Sequence, residues 1–174
     1  DGQMEFEVVL GGLRPYNTET MTDLSDFLHE HWEEVNAMSG QPFKYDILKR
    51  SDITYDTEPP CRATVVVRQL KPEATFSFFK AIQKDFYFNN KNMHLAESYF
   101  DALKTHDINQ DPFVKMFDSM EMKKAVQGDF ERAEKMGVRG FPTLLLEVNG
   151  RIKLISNGYA TADEMKAKID RLLK

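Results

Sequence analysis

Thiols, imidazoles and clustered carboxylates are the groups most able to do chemistry in a chain like this, and the sequence offers few in useful arrangements. Cys61 is the single cysteine among 174 residues. One thiol cannot close an internal disulfide, and no Cys/His group has zinc spacing, so no metal site and no two-cysteine exchange is expected from these residues. Cys61 follows Thr57-Glu58-Pro59-Pro60 and precedes Arg62. Near a helix start, beside a cation, a thiolate is stabilised and becomes a nucleophile. Asp56 and Glu58 oppose that effect, and a lone cysteine ahead of Ala63-Thr64-Val65-Val66 is more often a small buried hydrophobe. Cys61 is thus a candidate secondary thiol for which the structural reading is favoured. His29 and His31 stand two positions apart and point roughly opposite ways on a helix, which builds no metal site. Glu30, Glu33 and Glu34 read as a solvated face, and Trp32 as core.

Charge narrows the partners. Lys and Arg total 23 against 28 Asp and Glu, a net of −5. No stretch interleaves basic clusters with aromatics, so nucleic acid is not an expected partner. The apolar runs Val65-Val66-Val67 and Leu144-Leu145-Leu146 are far too short to cross a bilayer, so no membrane partner is expected either. No charged segment followed by an apolar one opens the chain. It begins at Asp1 rather than Met, which leaves export open. Without disulfides the core must hold the fold, and 13 Phe with 9 Met supply its bulk.

The elements follow from periodicity. Residues 4–10 alternate and then turn continuously apolar, which predicts a strand closed by Gly11-Gly12. Leu24, Phe27, Leu28, Trp32 and Val35 lie at helical spacing, with Thr20 or Thr22 as N-cap and Ser39-Gly40-Gln41-Pro42 as the stop. Thr57-Glu58-Pro59-Pro60 opens a second helix, because proline's missing N–H costs nothing in a first turn. Phe76, Phe79, Ile82 and Phe86 mark one face of a third, and Phe78, Ala81 and Phe88 a second face, as expected of a helix sandwiched between neighbours. Asn89-Asn90-Lys91-Asn92 reads as a loop. Leu95, Tyr99, Ala102 and Leu103 indicate a further helix, and Phe113, Met116 and Phe117 a short one after Asp111-Pro112. A longer helix runs from Ser119 to Met136, with Met122, Val126, Phe130 and Ala133 inward and Gly137 as left-handed cap. Residues 143–148 form a strand, Asn149-Gly150 a hairpin turn, and residues 151–156 the returning strand. Gly158 breaks it. Thr161 caps a last helix with Met165, Ile169 and Leu172 or Leu173 inward. The lone early strand is expected to join a sheet with the late hairpin, covered by helices.

Residues 133–173, with Gly137-Val138-Arg139-Gly140-Phe141-Pro142-Thr143, the leucine strand, the Asn149-Gly150 hairpin and Gly158, resemble the C-terminal half of a thioredoxin fold. The long helical stretch before them resembles the DsbA branch of that superfamily. Gly11-Gly12-Leu13-Arg14-Pro15 and Asp56-Thr57-Glu58-Pro59-Pro60-Cys61-Arg62-Ala63 are similar to its FrnE-like group, which is bacterial. The resemblance implies an α/β thioredoxin-like fold with a large helical insertion. Residues 1–18 and 119–174 would form the thioredoxin-like part, and residues 19–118 the insertion. It also implies a cis bond at Phe141-Pro142, with Phe141, Pro142 and Thr143 lining a substrate site. Taken alone, Phe-Pro-Thr would instead suit a trans proline at an edge strand.

One departure dominates. A thioredoxin fold begins with a strand and a C-x-x-C helix, and this chain contains neither in recognisable form. That strand would lie between residues 4–10 and 143–148, so roughly 20–35 residues, about one βα unit, are expected upstream. Two alternatives stand beside it: the gap is filled by strand exchange with another subunit, or the resemblance at residues 4–10 is misplaced. The implied activity is thiol:disulfide exchange on protein or peptide thiols, with no cofactor. Alternatives are a glutathione-dependent isomerase or transferase of the kappa or hydroxychromene-carboxylate type, with glutathione as cofactor, and a non-redox module that binds extended peptides. FrnE-like relatives are commonly cytoplasmic, which tilts the compartment away from the periplasm.

Overall fold

Apolar spacing places each helix, and the computed structural model, which describes residues 4–173, shows how they pack. Among the described residues there are seven α-helices and two strands: α1 Ser25–Ser39, α2 Glu58–Leu70, α3 Thr75–Tyr87, α4 Phe100–Thr105, α5 Gln110–Phe117, α6 Met120–Lys135, β1 Thr143–Val148, β2 Arg151–Asn157 and α7 Ala162–Leu172. This is the mixed α/β architecture expected, a small sheet behind a large helical insertion.

The hub is α2. Ala63, Thr64, Val65, Val66 and Val67 are all buried, so this helix is covered nearly all round. Around it gather Phe78 and Ile82 of α3, Tyr99, Leu103, Phe113 and Phe117 of the following helices, and Met122 and Val126 of α6. A second cluster joins Leu28 and Trp32 of α1 to Ile47, Leu48, Ile53 and Tyr55, and Phe86 packs against both clusters. Inside the first cluster Arg62 donates to both oxygens of Glu58, at 2.8 and 3.1 Å. Arg62 also donates to the Phe117 carbonyl and lies over the Phe117 ring, 4.2 Å from its centroid. A buried charge is tolerable only when paired and hydrogen-bonded in this way.

Several expectations are corrected. Neither Thr20 nor Thr22 caps α1, whose N-cap is Leu24 without a side-chain bond. Thr20 and Asp23 instead exchange hydrogen bonds of 2.8 and 3.1 Å across the preceding turn, so the capping occurs one turn earlier. Phe27, predicted on the inner stripe of α1, is exposed. The doubly apolar α3 is covered over most of both faces: Phe78 and Ile82 are buried, Phe79 and Ala81 pack against the first cluster, and Phe86 packs against both. Phe76 is the exception, exposed with its ring edge-on to Phe6 at 5.1 Å between centroids. Leu95 lies outside its helix and is exposed. Leu172 and Leu173, one of which is expected inward, are both exposed because α7 covers only a two-stranded hairpin.

The largest correction concerns residues 4–10, which form no strand. The sheet is β1 paired antiparallel with β2 and nothing else among the described residues. A strand needs a neighbour about 4.8 Å away to satisfy its backbone, and here side chains take that role. Asp129 of α6 accepts the Leu10 N–H at 3.0 Å, and Arg68 of α2 donates to the Val8 carbonyl at 2.9 Å. Arg68 and Asp129 pair with each other through two contacts of 2.8 Å. Arg132 holds Glu7 at 2.7 Å, a pairing that keeps the Glu7 carboxyl below the usual range.

The hairpin carries a bulge. Pairing passes from Leu144↔Ser156 to Leu145↔Leu154, leaving Ile155 as the extra residue of β2. Ile155 is buried where Ile152 and Leu154 are exposed, and its carbonyl accepts from Lys168 of α7 at 2.9 Å. Thr161 and Glu164 form a capping box at the start of α7.

Replacing Asp129 with Ala would leave Arg68 without its partner and the Leu10 N–H without an acceptor. Because Arg68 keeps some contact with solvent, we expect a loss of about 2–3 kcal/mol, below the range for a fully buried pair. Urea unfolding of Asp129→Ala checks this; a midpoint unchanged from wild type would remove the pair's structural role.

Candidate functional site

Three pieces meet beside the end of α6. The first is the loop after that helix. The Val138 N–H returns to the Ala133 carbonyl at 3.1 Å, and Gly137 takes φ +78°, which frees the chain to turn back toward the sheet. The Phe141–Pro142 peptide bond is cis. The Thr143 hydroxyl donates to the Gly140 carbonyl at 2.6 Å, and the Gly158 N–H donates to the Pro142 carbonyl at 2.8 Å. Both ends of the loop are therefore fixed, while the Phe141 side chain stays 44% exposed.

The second piece is Gly11-Gly12. A Cβ at position 11 would lie 1.9 Å from Cε1 of Phe141, so the Phe141 ring rests directly on the Gly11 backbone. Gly12 has φ +63°, and a Cβ there would come within 2.8 Å of the Phe130 ring on α6. Both glycines are needed, one for close approach and one for conformation as well. Beyond them Arg14 is fastened to Thr57: its N–H donates to Oγ1 at 2.9 Å and its carbonyl accepts the Thr57 N–H at 3.2 Å. Asp56 Oδ1 accepts from the Tyr16 N–H and the Glu58 N–H, each at 2.8 Å. This holds Tyr16 at φ +62° with its side chain exposed. A bulky residue kept in that region by surrounding bonds marks a segment whose shape is imposed.

The third piece is Cys61. The Gly12 backbone is near enough to its thiol to favour the thiolate, so Cys61 lies behind the same loop on which Phe141 rests. Burial pushes the thiol up to about 12, outweighing the Gly12 backbone, and Glu58, Asp129 and Asp56 add to the rise. Although Cys61 keeps some surface, its sulfur is set among protein atoms and stays protonated at neutral pH. It has no activated nucleophile's environment.

Phe141, Pro142, Thr143 and Cys61 are thus brought to two sides of one glycine pair. His29 and His31 lie elsewhere, each near its own glutamate on α1 at 3.8 and 3.6 Å. Among the described residues no group of three or more His, Cys, Asp or Glu could hold a metal. Sequence reasoning took Gly11-Gly12 as a strand stop and missed Asp56 and Asp129 as anchors. An Asp two residues before a helix start is a readable capping signal, whereas the reach of Asp129 across to Leu10 has no local trace.

The pKa of Cys61 carries a pH dependence. The unfolded thiol ionises near 8.5 and the folded one near 12, so the folded state holds the proton longer. Stability contributed by this group is intact below about pH 8.5 and falls by up to about 1.4 kcal/mol per pH unit above it. Denaturant melts at pH 8 and 10.5 are expected to show a steeper loss for wild type than for Cys61→Ala. Iodoacetamide at pH 8 should label Cys61 only after unfolding; rapid native labelling would refute the buried-thiol assignment.

Comparison with known proteins agrees with this geometry. The thioredoxin family profile matches residues 22–153. The fold superposes with a TM-score of 0.78 on a Nitrosomonas europaea protein provisionally named a protein disulfide isomerase, at 30% identity over 94% of this chain and 77% of that one. It also superposes on the cytosolic disulfide reductase DsbM from Pseudomonas aeruginosa, at 20% identity over 94% of this chain and 81% of that one, with a TM-score of 0.78. For DsbM with GSH the identity is 19% and the TM-score 0.74, over 94% and 81% of the two chains. No curated protein gives a significant match. The match over residues 22–153 and the fold shared at 30% identity place this chain in the thioredoxin family.

Proposed function

We propose that this chain forms most of a DsbA-type, FrnE-like thiol:disulfide oxidoreductase or isomerase acting on protein thiols, with its C-x-x-C pair supplied from outside these 174 residues. The observation that carries the reading is the fixed loop Phe141-Pro142-Thr143 lying against Gly11, together with two backbone stretches that each keep an edge without a strand neighbour among the described residues. Residues 8–10 are held by side chains, and β1 is paired on one side only. In this reading a strand leading into a redox helix takes the place between them. In this reading residues 19–118 are the insertion and residues 1–18 with 119–174 the thioredoxin-like part.

The chemistry is then an exchange of two bonds. One thiolate of the pair, favoured at a helix N-terminus, attacks a substrate disulfide, forming a mixed disulfide and releasing one substrate thiolate, which takes a proton. The second thiol loses its proton and attacks that mixed disulfide, so the substrate leaves reduced and the pair is oxidised. Run backwards, the same steps oxidise a substrate. Phe141, Pro142 and Thr143 hold the substrate. Pro142 has no N–H and its carbonyl is taken by Gly158, which leaves the Phe141 backbone as the group able to pair with an extended peptide. The exposed Phe141 ring supplies apolar contact. Cys61, protonated and set back, takes no part in the exchange.

The test is reduction of insulin disulfides by the full-length protein, with residues 1–174 alone as the inactive control. Gly11→Val, which evicts the Phe141 ring, should lower the rate about tenfold, worth roughly 1.4 kcal/mol of transition-state binding, with the circular dichroism spectrum retained. A single Cys or a Ser in place of the pair, with glutathione-dependent isomerisation instead of insulin reduction, would replace this reading.

A further inference from the structure

Helix α6 has two faces of different purpose. Met122, Val126, Asp129 and Ala133 face the core. Met120, Lys123, Lys124, Gln127 and Gly128 recur at the three- and four-residue spacing of the opposite face and, with Tyr16, line an open groove of about 470 Å³. We infer that this groove binds an acidic, extended segment of the peptide substrate; the inference rests on the peptide-exchange reading above and assigns its substrate class.

Four observations carry it. The chain is acidic overall, at −5, yet the groove holds two adjacent lysines that take part in no ion pair among the described residues. Glu131 lines the same groove and accepts from the Gln127 amide at 3.4 Å, and Lys123 with Lys124 leaves the lining net positive. Gly128 sits in the interior of α6 without positive φ, and a Cβ there would meet nothing within 4 Å. Neither conformation nor packing calls for glycine at this place, where it weakens a helix; what it does is keep the groove floor low. Finally, Tyr16 and Met120 stand exposed as apolar walls, and Tyr16 is held in its unusual conformation by Asp56. The loop that carries Tyr16 begins at Gly11, where Phe141 rests, so one loop borders both the groove and the proposed exchange site.

The groove's length sets the ligand. From position 120 to 131 a helix rises about 16 Å, which an extended peptide covers with about five residues. Carboxylates on such a segment would reach Lys123 and Lys124 while apolar side chains contact Tyr16 and Met120.

The experiment uses a fluorescein-labelled, thiol-free pentapeptide alternating glutamate and leucine, with a lysine–leucine counterpart, and fluorescence anisotropy on the full-length protein. Without thiols, binding is independent of any redox pair, so its failure and the failure of the exchange reading are separate results. The acidic peptide should bind at least tenfold more tightly than the basic one, and more weakly as salt rises. Lys123→Glu with Lys124→Glu, on the solvent side, should lose at least tenfold in affinity, as should Gly128→Phe, which fills the floor. Gly128→Ala should raise the melting temperature and keep binding. Equal binding of the two peptides, or unchanged affinity in the lysine double variant with its fold intact, would overturn the inference; should Gly128→Phe fail to fold, the lysine variant decides.

Discussion

Arg68 and Asp129, joined by two 2.8 Å contacts between α2 and α6, set the position of residues 8–10. Their spare hydrogen-bonding capacity goes to the main chain: Arg68 to the Val8 carbonyl and Asp129 to the Leu10 N–H. A segment without a strand neighbour would otherwise bury polar groups unpaired, at a cost of about 1–3 kcal/mol for each group. With the pair in place, Leu10 can enter the α2 core, and Gly11 and Gly12 arrive at a defined spot on α6 and the Phe141 loop. The site depends on that anchor.

The helical insertion supplies rigidity on the other side. Because α2 is buried nearly all round, its first turn cannot drift, and Asp56 and Thr57 just before it grip Arg14 and Tyr16. The Glu58–Arg62 pair, fully hydrogen-bonded within the core, fixes the same turn to α5 through the Phe117 carbonyl. Cys61 is carried along by this arrangement. Its burial follows from the needs of packing, and that same burial keeps its thiol protonated and unreactive.

The small sheet contrasts with this. A two-stranded hairpin can bury one face against one helix, and only Ile155 among its residues becomes fully buried, helped by the bulge that places it. Ile152, Leu154, Leu172 and Leu173 remain exposed. An isolated pair of strands has little stability of its own, so the hairpin relies on α7 and on the bonds that tie Gly158 to Pro142.

Local chemistry was enough to determine a good deal. Helical spacing located the helices, Gly137 and Gly40 marked their ends through left-handed caps, and Asn149-Gly150 fixed the hairpin, because each signal acts within a few residues. The pattern of residues 133–173 also pointed to the thioredoxin family before any coordinates. Contacts between distant residues lay beyond its reach. Residues 4–10 carry a strand's alternation, but a strand is a property of two segments, and side chains 60 and 119 positions away took the partner's place. The aromatic rows of α3 and the leucines of α7 had the right period, yet which face is covered depends on which neighbours are present. Only the tertiary structure could place Gly11 under Phe141 and Tyr16 beside α6, because those meetings arise from packing between elements and leave no mark in spacing along the chain.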